Sequence, residues 1–458
     1  MAWPFNLFQR DTPAPIRRSF DAATGGRRGQ GFRPFGPTGA ETLAAAVPVR
    51  SRARHAFANN GYIRNGVSAW VAETVGAGIE ANSAHPDTTY RTGIDSFFLD
   101  ASARIDSEGR TDLRGITAAI VEAVIVDGEA FAMVEPSPDG PKLRLIPAEM
   151  VDESITRDMG NGGYVAAGIE FNAQGQRVAY HVQPHRPTEL FPTAGAPVRV
   201  VAEDMFHIFK PLGAGQVRGV SWLAPVLLTL NEFDQLQDAL LVGAKIAAMH
   251  AGFVTDQNNL GGTGAYPEAD SLTDISLEPG VVRVLPAGTD IKFNSPSEAK
   301  DSIAFAKLTL GQIAAGLSLP QYLLDGDLTG ANYSSLRAGL LPFRAKVEQF
   351  TYHTLIPQFL DPVFRRVLTA GYLSGDIDFP ELATALKAEW LPPRPMQVDP
   401  AKDVAALKTM IEEGLTSRRQ AVASLGWNVA ELDAEIAADR AREAALKLNF
   451  TAGKSENA

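Results

Sequence analysis

Leu317 to Leu341 reads LSLPQYLLDGDLTGANYSSLRAGLL, and its punctuation sets the layout on either side. Pro320 lacks a backbone donor and ends any helix arriving from upstream. Then come Asp325, Gly326, Asp327, Thr329, Gly330 and Asn332: the glycines permit backbone conformations closed to other residues, and the Asp and Asn side chains favour turns. Upstream, Ile303, Ala306, Leu310, Ile313 and Leu317 recur at helical spacing, which predicts a helix over Lys300 to Leu317. Downstream, Leu336, Leu340, Phe343, Val347, Phe350, Phe359, Val363 and Val367 mark a buried stripe over Ser334 to Leu373. Pro342, Pro357 and Pro362 fall inside that stripe, and the helix is expected to kink or break there. A mobile polar turn between two helical rods is the expectation.

Farther upstream, Ser51 to Val75 reads as two helices hinged at Asn59-Asn60-Gly61, with Ile63, Val67, Trp70, Val71 and Val75 on one face. Helical patterns cover Asp87 to Ala103 and Asp112 to Val126, the second running into a strand at Glu129 to Glu135. Further strands are expected at Leu143 to Ile146, Val165 to Phe171, Arg177 to Val182, Val198 to Val201 and Met205 to Phe209, with a hairpin turn at Asn172 to Gln176. The class is α+β. Ser221 to His250 has helical composition throughout and would make a rod of roughly 45 Å if unbroken. The interval Ala251 to Glu298 follows, with loop-like sequence from Thr255 to Asp274, a strand at Val281 to Leu285, and seven acids against two basic residues. Past Leu373, small helices have start signals at Asp399-Pro400, at Thr416-Ser417, and at Asn428 with Glu431.

The 458 residues suffice for two to four packed units, and 45% hydrophobic with 21% charged is an ordinary globular balance. Glu122, Asp127 and Lys245 break the most apolar stretches, so no membrane span is expected. No secretory address is readable in MAWPFNLFQRD. The absence of cysteine removes disulfides, thiolate nucleophiles and thiolate metal sites together. The net charge of -11 is uneven: Met1 to Arg54 holds nine Arg and three acids, net +6, leaving -17 for the rest. Thr12 to Pro48 is rich in Gly, Pro and Arg and reads as a disordered basic arm. An acidic body argues against a tight grip on DNA, whose phosphates supply most nonspecific affinity, and not against letting DNA slide past. Acidity also serves simple solubility.

Motifs for chemistry are missing. No G-x-x-x-x-G-K-[ST] occurs, Gly213, Gly215 and Gly219 lack the G-x-G-x-x-G spacing, and neither G-x-S-x-G nor H-E-x-x-H is present. Of seven histidines only His181 and His185 lie close, at a strand end where that spacing does not put two ligands on one face. Asp325 and Asp327 flank a glycine, which is turn chemistry rather than a paired acid and base. Neither a catalytic residue nor a metal or other cofactor is expected.

Several segments resemble, in order and spacing, the lambda-type portal proteins of tailed bacteriophages. They are SRARHAFANNGYIRNGVSAWVAETVGAGI at Ser51 to Ile79, DGEAF at Asp127 to Phe131, GIEFNAQGQRVAYHV at Gly168 to Val182 and RGVSWLAP at Arg218 to Pro225. Leu317 to Leu341 matches most closely, and EWLPPRPMQVDP at Glu389 to Pro400 and EGLTSRR at Glu413 to Arg419 complete the series. The basic arm and the acidic insert depart from the family pattern.

The resemblance implies a portal fold: an α/β wing, a two-helix stem, a small clip insert, a long kinked wing helix and an α-helical crown. Mapped here, it gives a basic arm at 1–50, wing 51–220, stem helices 221–250 and 299–324, clip 251–298, tunnel loop 325–333, long wing helix and connection 334–398, crown 399–448 and a tail 449–458. It further implies a dodecameric ring at one capsid vertex, built in the host cytoplasm, with double-stranded DNA passing through it. The implied partners are terminase, the major capsid protein and head-tail adaptors, and the residues facing DNA are Asp325, Gly326, Asp327, Thr329, Gly330 and Asn332. Two other readings stay open: a different virion structural or adaptor protein, or an enzyme of unrecognised class, which would need a cleft holding groups of perturbed pKa.

Overall fold

Cap chemistry sets the first elements of the computed structural model, which describes residues 40–185, 195–248, 253–254, 283–284, 299–329, 332–393 and 400–448. Asn60 is the pivot between α1 (Ala40–Asn59) and α2 (Gly61–Thr74), its side chain accepting from Ile63 N at 3.1 Å. Helix α1 starts well before the expected Ser51. The alanine-rich turn at Ala44 to Ala46 favours helix, and Thr42, Ala46 and Arg50 are buried along it, so 40–50 is not part of an arm. Residues 1–39 of the expected arm, and the tail 449–458, lie outside the described residues.

Strand β1 (Glu80–Ser83) leads to α3 (Thr88–Ala103), capped by Asp87, and α4 (Leu113–Val126), capped by Asp112. Strands β2 (Ala130–Glu135) and β3 (Lys142–Ile146) then pair antiparallel. A five-stranded antiparallel meander follows: β4 (Arg157–Asp158), β5 (Tyr164–Ala166), β6 (Ile169–Phe171), β7 (Arg177–Val182) and β8 (Val198–Val201). The single strand expected over Val165 to Phe171 is therefore two. Ala167 and Gly168 take φ of +49° and +80°, and that left-handed pair turns the chain back on itself. Strand β9 (Met205–Ile208) returns to the other edge of β2, completing a three-stranded sheet in the order β3-β2-β9.

Helix α5 (Leu227–Ala248) begins six residues later than expected and spans about 33 Å. The residues before it are held elsewhere: Trp222 N donates to Ile125 O at 3.0 Å and Ser221 Oγ to the same carbonyl at 3.3 Å. Of the acidic insert only β10 (Phe253–Val254) and β11 (Arg283–Val284) are described, paired in parallel; the rest of the expected clip, and His250, lie outside the described residues. Helix α6 (Ala299–Gly316) buries Leu310 and Ile313 as expected, but Ile303, assigned to the same stripe, is 59% exposed.

The stem helix expected over 299–324 is two: α6 stops at Gly316, Pro320 starts a short helix, α7 (Gln321–Asp325), and Gly326, at φ +71°, closes it. The long downstream helix does not break at its prolines. α8 (Tyr333–Phe350) runs through Pro342, Thr351–Leu360 winds as a π-helix around Pro357, and α9 (Asp361–Ser374) carries Pro362 in its first turn. A proline in an α-helix strands the carbonyl four residues back and collides with it; the wider winding shifts the bonding register there. After α10 (Leu382–Ala385), β12 (Ala388–Leu391) pairs with β1, a closure across the chain that no pattern announced. Helices α11 (Pro400–Glu412), α12 (Arg418–Ser424) and α13 (Val429–Leu446) are the last of the described elements. Ser417, not Thr416, caps α12, and Asn428 caps α13; Asp399 lies outside the described residues.

Two cores result. The larger gathers Ile63, Val67, Trp70, Ile120, Ile313, Phe343, Phe350 and Phe359 from the helices, and the smaller gathers Phe131, Val151, Ile169, Tyr180 and Met205 between the sheets. At their seam two glycines allow the chain to cross itself. A Cβ on Gly219 would sit 2.1 Å from Gly128 O, and one on Gly128 would sit 2.2 Å from the Val220 carbonyl carbon. Gly219→Ala is expected to cost on the order of 2–4 kcal/mol in chemical denaturation, whereas Gly61→Ala, which meets nothing within 4 Å, should stay within about 0.5 kcal/mol of wild type.

Candidate functional site

Four of the six residues expected to face DNA fall in one tight turn. Asp325 accepts from Gln321 Nε2 at 2.9 Å and from Asp327 N at 2.9 Å, drawing the turn over Gly326. Asp327 Oδ1 takes Thr329 N at 2.8 Å and also the Thr329 hydroxyl. Its other oxygen meets Lys307 Nζ, from α6, at 2.8 Å. Lys307 and Thr329 together hold the Asp327 carboxyl well below the usual carboxylate range. Asn332 plays a different part: it caps α8 in a reciprocal pair with Ser335, both bonds at 2.9 Å. Gly330 lies outside the described residues. The turn expected to hang freely between two rods is thus tied to one of them at Asp327. Lys307 was missed because an ion pair across twenty residues leaves no periodic trace in sequence.

The frame behind this turn is stiff. Asn65 Nδ2 donates to Leu323 O and Leu324 O at 2.9 and 3.1 Å, and Trp70 Nε1 donates to Leu317 O at 3.0 Å. Trp70 meets Trp222 and Phe343 edge to face with centroids 5.2 and 5.0 Å apart, and Trp222 meets Phe350 likewise at 5.2 Å. The upstream end of the turn therefore rests on the larger core through Leu324, and α8 joins that core farther along, at Leu340 and Phe343.

The strongest electrostatics lie elsewhere, in a sealed cluster. Glu129 has no exposed side-chain surface, and its Oε1 takes Arg218 Nη2 at 2.6 Å, Arg218 Nε at 2.9 Å and Arg50 Nη2 at 3.2 Å. Its Oε2 takes Gly219 N at 2.8 Å and His207 Nε2 at 3.0 Å. Arg218 spends its remaining donors on Val151 O, Ala167 O, Ala148 O and Glu153, which also holds Arg50 at 2.6 Å. Two guanidinium groups thus face two carboxylates. Burial alone would raise the Glu129 pKa, but Arg218 and His207 hold it well below the usual carboxylate range. Burial pushes the His207 imidazole down to about 4, against the pull of Glu129, so the ring is neutral. With Nε2 donating to a carboxylate, Nδ1 is the bare nitrogen, and it has no partner.

Perturbed groups in an open cleft would suit an enzyme; in this cluster Glu129, His207 and Arg218 are instead shut away from solvent. Of the two close histidines, His181 lies beside Glu170 at 3.4 Å, itself bound by Arg199 at 2.8 Å. Among the described residues no group of three or more His, Asp or Glu is placed to hold a metal ion, and no helix is long and apolar enough to cross a membrane.

The sequence signature of the family described as "Phage portal protein, lambda family" matches residues 25–350. The chain belongs to the lambda family of phage portal proteins. A portal protein is a structural component of the phage capsid, and the family's relatives agree in both halves of the chain. The "Probable portal protein" of Halomonas phage phiHAP-1 is 26% identical over 388 residues, 80% of this chain and 74% of that protein. The "Portal protein" of Escherichia phage N15 is 24% identical across 93% and 90%, and "Portal protein B" of Escherichia phage lambda 23% identical across 91% and 89%. Among solved structures, a chain from the neck of a native gene transfer agent particle is similar at 17% identity, with a TM-score of 0.45, covering 85% of this chain and 94% of that one.

Removing the charge of Glu129 would leave the buried Arg218 and Arg50 sharing the one carboxylate of Glu153, so Glu129→Gln is expected to lose roughly 3–5 kcal/mol in urea unfolding. The pH response has a definite sign. An imidazole titrating near 4 when folded and near 6.5 when unfolded lets the unfolded chain take up the proton first, so stability present above pH 6.5 drains away as pH falls toward 4. His207→Gln keeps a donor to Glu129 but cannot titrate. The difference in stability between wild type and variant is expected to change by up to about 3 kcal/mol across that window and to stay flat from pH 7 to 9.

Proposed function

We propose that twelve copies of this portal protein close into a ring at one vertex of the capsid and that double-stranded DNA enters and leaves through its axis. In this reading 51–220 is the wing, α5 and α6 the stem, 251–298 the clip, 325–333 the tunnel loop, 334–398 the long wing helix with its connection, and 399–448 the crown. Terminase docks on the clip while DNA is pumped, and head-tail adaptors later occupy the same surface; the major capsid protein surrounds the wing.

The observation that carries the ring is the pair of long helices. α5 and α6 pack against one another yet leave Leu228, Leu240, Leu241, Val242, Ile303, Phe305 and Leu308 between 41% and 74% exposed. Large apolar side chains gathered on two adjacent rods ask for cover, and a neighbouring copy presenting the same rods supplies it around a closed ring. Asp325 and Asp327 then put negative charge and small polar groups toward the axis, which repels phosphate weakly at every rotational setting and leaves DNA no deep minimum.

Negative-stain electron microscopy with mass photometry tests this. Twelve-fold rings with an axial hole are expected for the wild-type protein. Leu308→Glu should shift the population to single subunits while changing the stability of the fold by no more than about 0.5 kcal/mol, as befits an exposed position. A strictly monomeric wild type under all salt conditions would overturn the reading.

A further inference from the structure

Lys307 is the only basic residue between Ile303 and Leu336, and Asp325 and Asp327 are the only acids in that interval. Its ammonium group is half exposed, and Asp327 is the one carboxylate it touches. The two ends of this pair are unequally committed. Asp327 keeps the Thr329 amide and hydroxyl on its other oxygen whether or not Lys307 stays, and Asp325 independently braces the turn through Gln321 and the Asp327 amide. Gln321 Nε2 also donates to Lys307 O at 3.2 Å, so the backbone beneath the lysine is held while its side chain is free to swing. An exposed ammonium group on a four-carbon stem, bound to a single part-exposed carboxylate, is a cation that another anion can capture.

We propose that Lys307 is a masked phosphate contact: Asp327 covers it at rest, and a DNA phosphate arriving at the turn takes Asp327's place. The proposal rests on the channel reading above and adds a residue to it. The turn is then not a purely repulsive lining. Each subunit carries one cation whose attraction for the backbone is largely cancelled by its own counter-ion, so that DNA can be touched and let go. Capture swaps one ion pair for another with no change in the number of pairs, which keeps the step shallow in energy and sensitive to salt.

The test uses assembled rings of the full-length chain and a short fluorescent DNA duplex, with affinity measured from 50 to 200 mM salt. Asp327→Asn unmasks the lysine. It is expected to tighten binding at 50 mM salt by about threefold or more for each phosphate that a lysine newly engages, and to steepen the salt dependence by about one unit of slope per phosphate. Lys307→Gln with Asp327→Asn should abolish that tightening and return the ring to the affinity of Lys307→Gln alone. Hydrogen exchange over 325–329 adds an independent reading: in Lys307→Gln the turn should keep its wild-type protection, because Asp325 and Asp327 brace it without the lysine. Asp327→Asn rings that bind no more tightly than wild type, or a double variant that binds as tightly as Asp327→Asn, would overturn the masked phosphate site. Absence of rings from the wild type would instead sink the channel reading beneath it.

Discussion

A carboxylate held wholly out of water organises this fold. Glu129 sits at the start of β2, and taking it and Arg218 from solvent costs several kcal/mol per ion unless every donor and acceptor is met. They are met by four separate parts of the chain: α1 through Arg50, β9 through His207, the five-stranded sheet through Ala167 O, and the lead-in to α5 through Gly219 N. The strained backbone at Ala167 has its explanation here, because its left-handed turn presents the carbonyl that Arg218 takes at 2.9 Å. The bare glycines at 128 and 219 follow from the same demand, since Arg218 reaches Glu129 only where the two backbones nearly touch.

From that centre the order passes outward. Two residues beyond Gly219 the chain is pinned to the end of α4 through Ile125 O, and Trp222 then stands in the aromatic group with Trp70, Phe343 and Phe350. Trp70 in turn holds the Leu317 carbonyl at the end of α6. The sealed ion cluster, the start of α5 and the end of α6 are thus links in one rigid series, and the turn at 325–329 projects from its far end. What the body fixes is where that turn begins and ends. What the turn does in between is left to Asp327 and Lys307.

Sequence reading succeeded where the deciding interaction is local. Asn60, Asp87, Asp112 and Asn428 announce helix starts because a cap bonds two or three residues along. The mixed helix and sheet class followed from the two periodicities. It failed where the partner is remote or the winding is unusual. Glu129 and Arg218 are 89 residues apart; both lie inside segments noticed for their resemblance, DGEAF and RGVSWLAP, yet nothing in either says the two meet. The π-winding at Pro357 was invisible because the apolar stripe continues on both sides of it. Ile303 shows a third limit, since helical spacing marks a face that wants cover without saying which chain provides it.

The two ion clusters differ in how they answer to their surroundings. Bulk salt scarcely reaches the buried pair: Glu129 and Arg218 are fully enclosed, and opening them would strand a charge in a medium that cannot solvate it. Lys307 and Asp327 face solvent, where mobile ions screen them and water replaces either partner at little cost. A change in ionic surroundings, such as a polyanion passing close by, therefore acts on the exposed pair and leaves the buried one untouched. Compliance is confined to a few side chains at the tip of the turn, while the frame that positions them keeps its shape. That division follows from where each charge sits relative to water: an enclosed ion cluster keeps the frame in shape, and the exposed pair on the turn stays open to exchange.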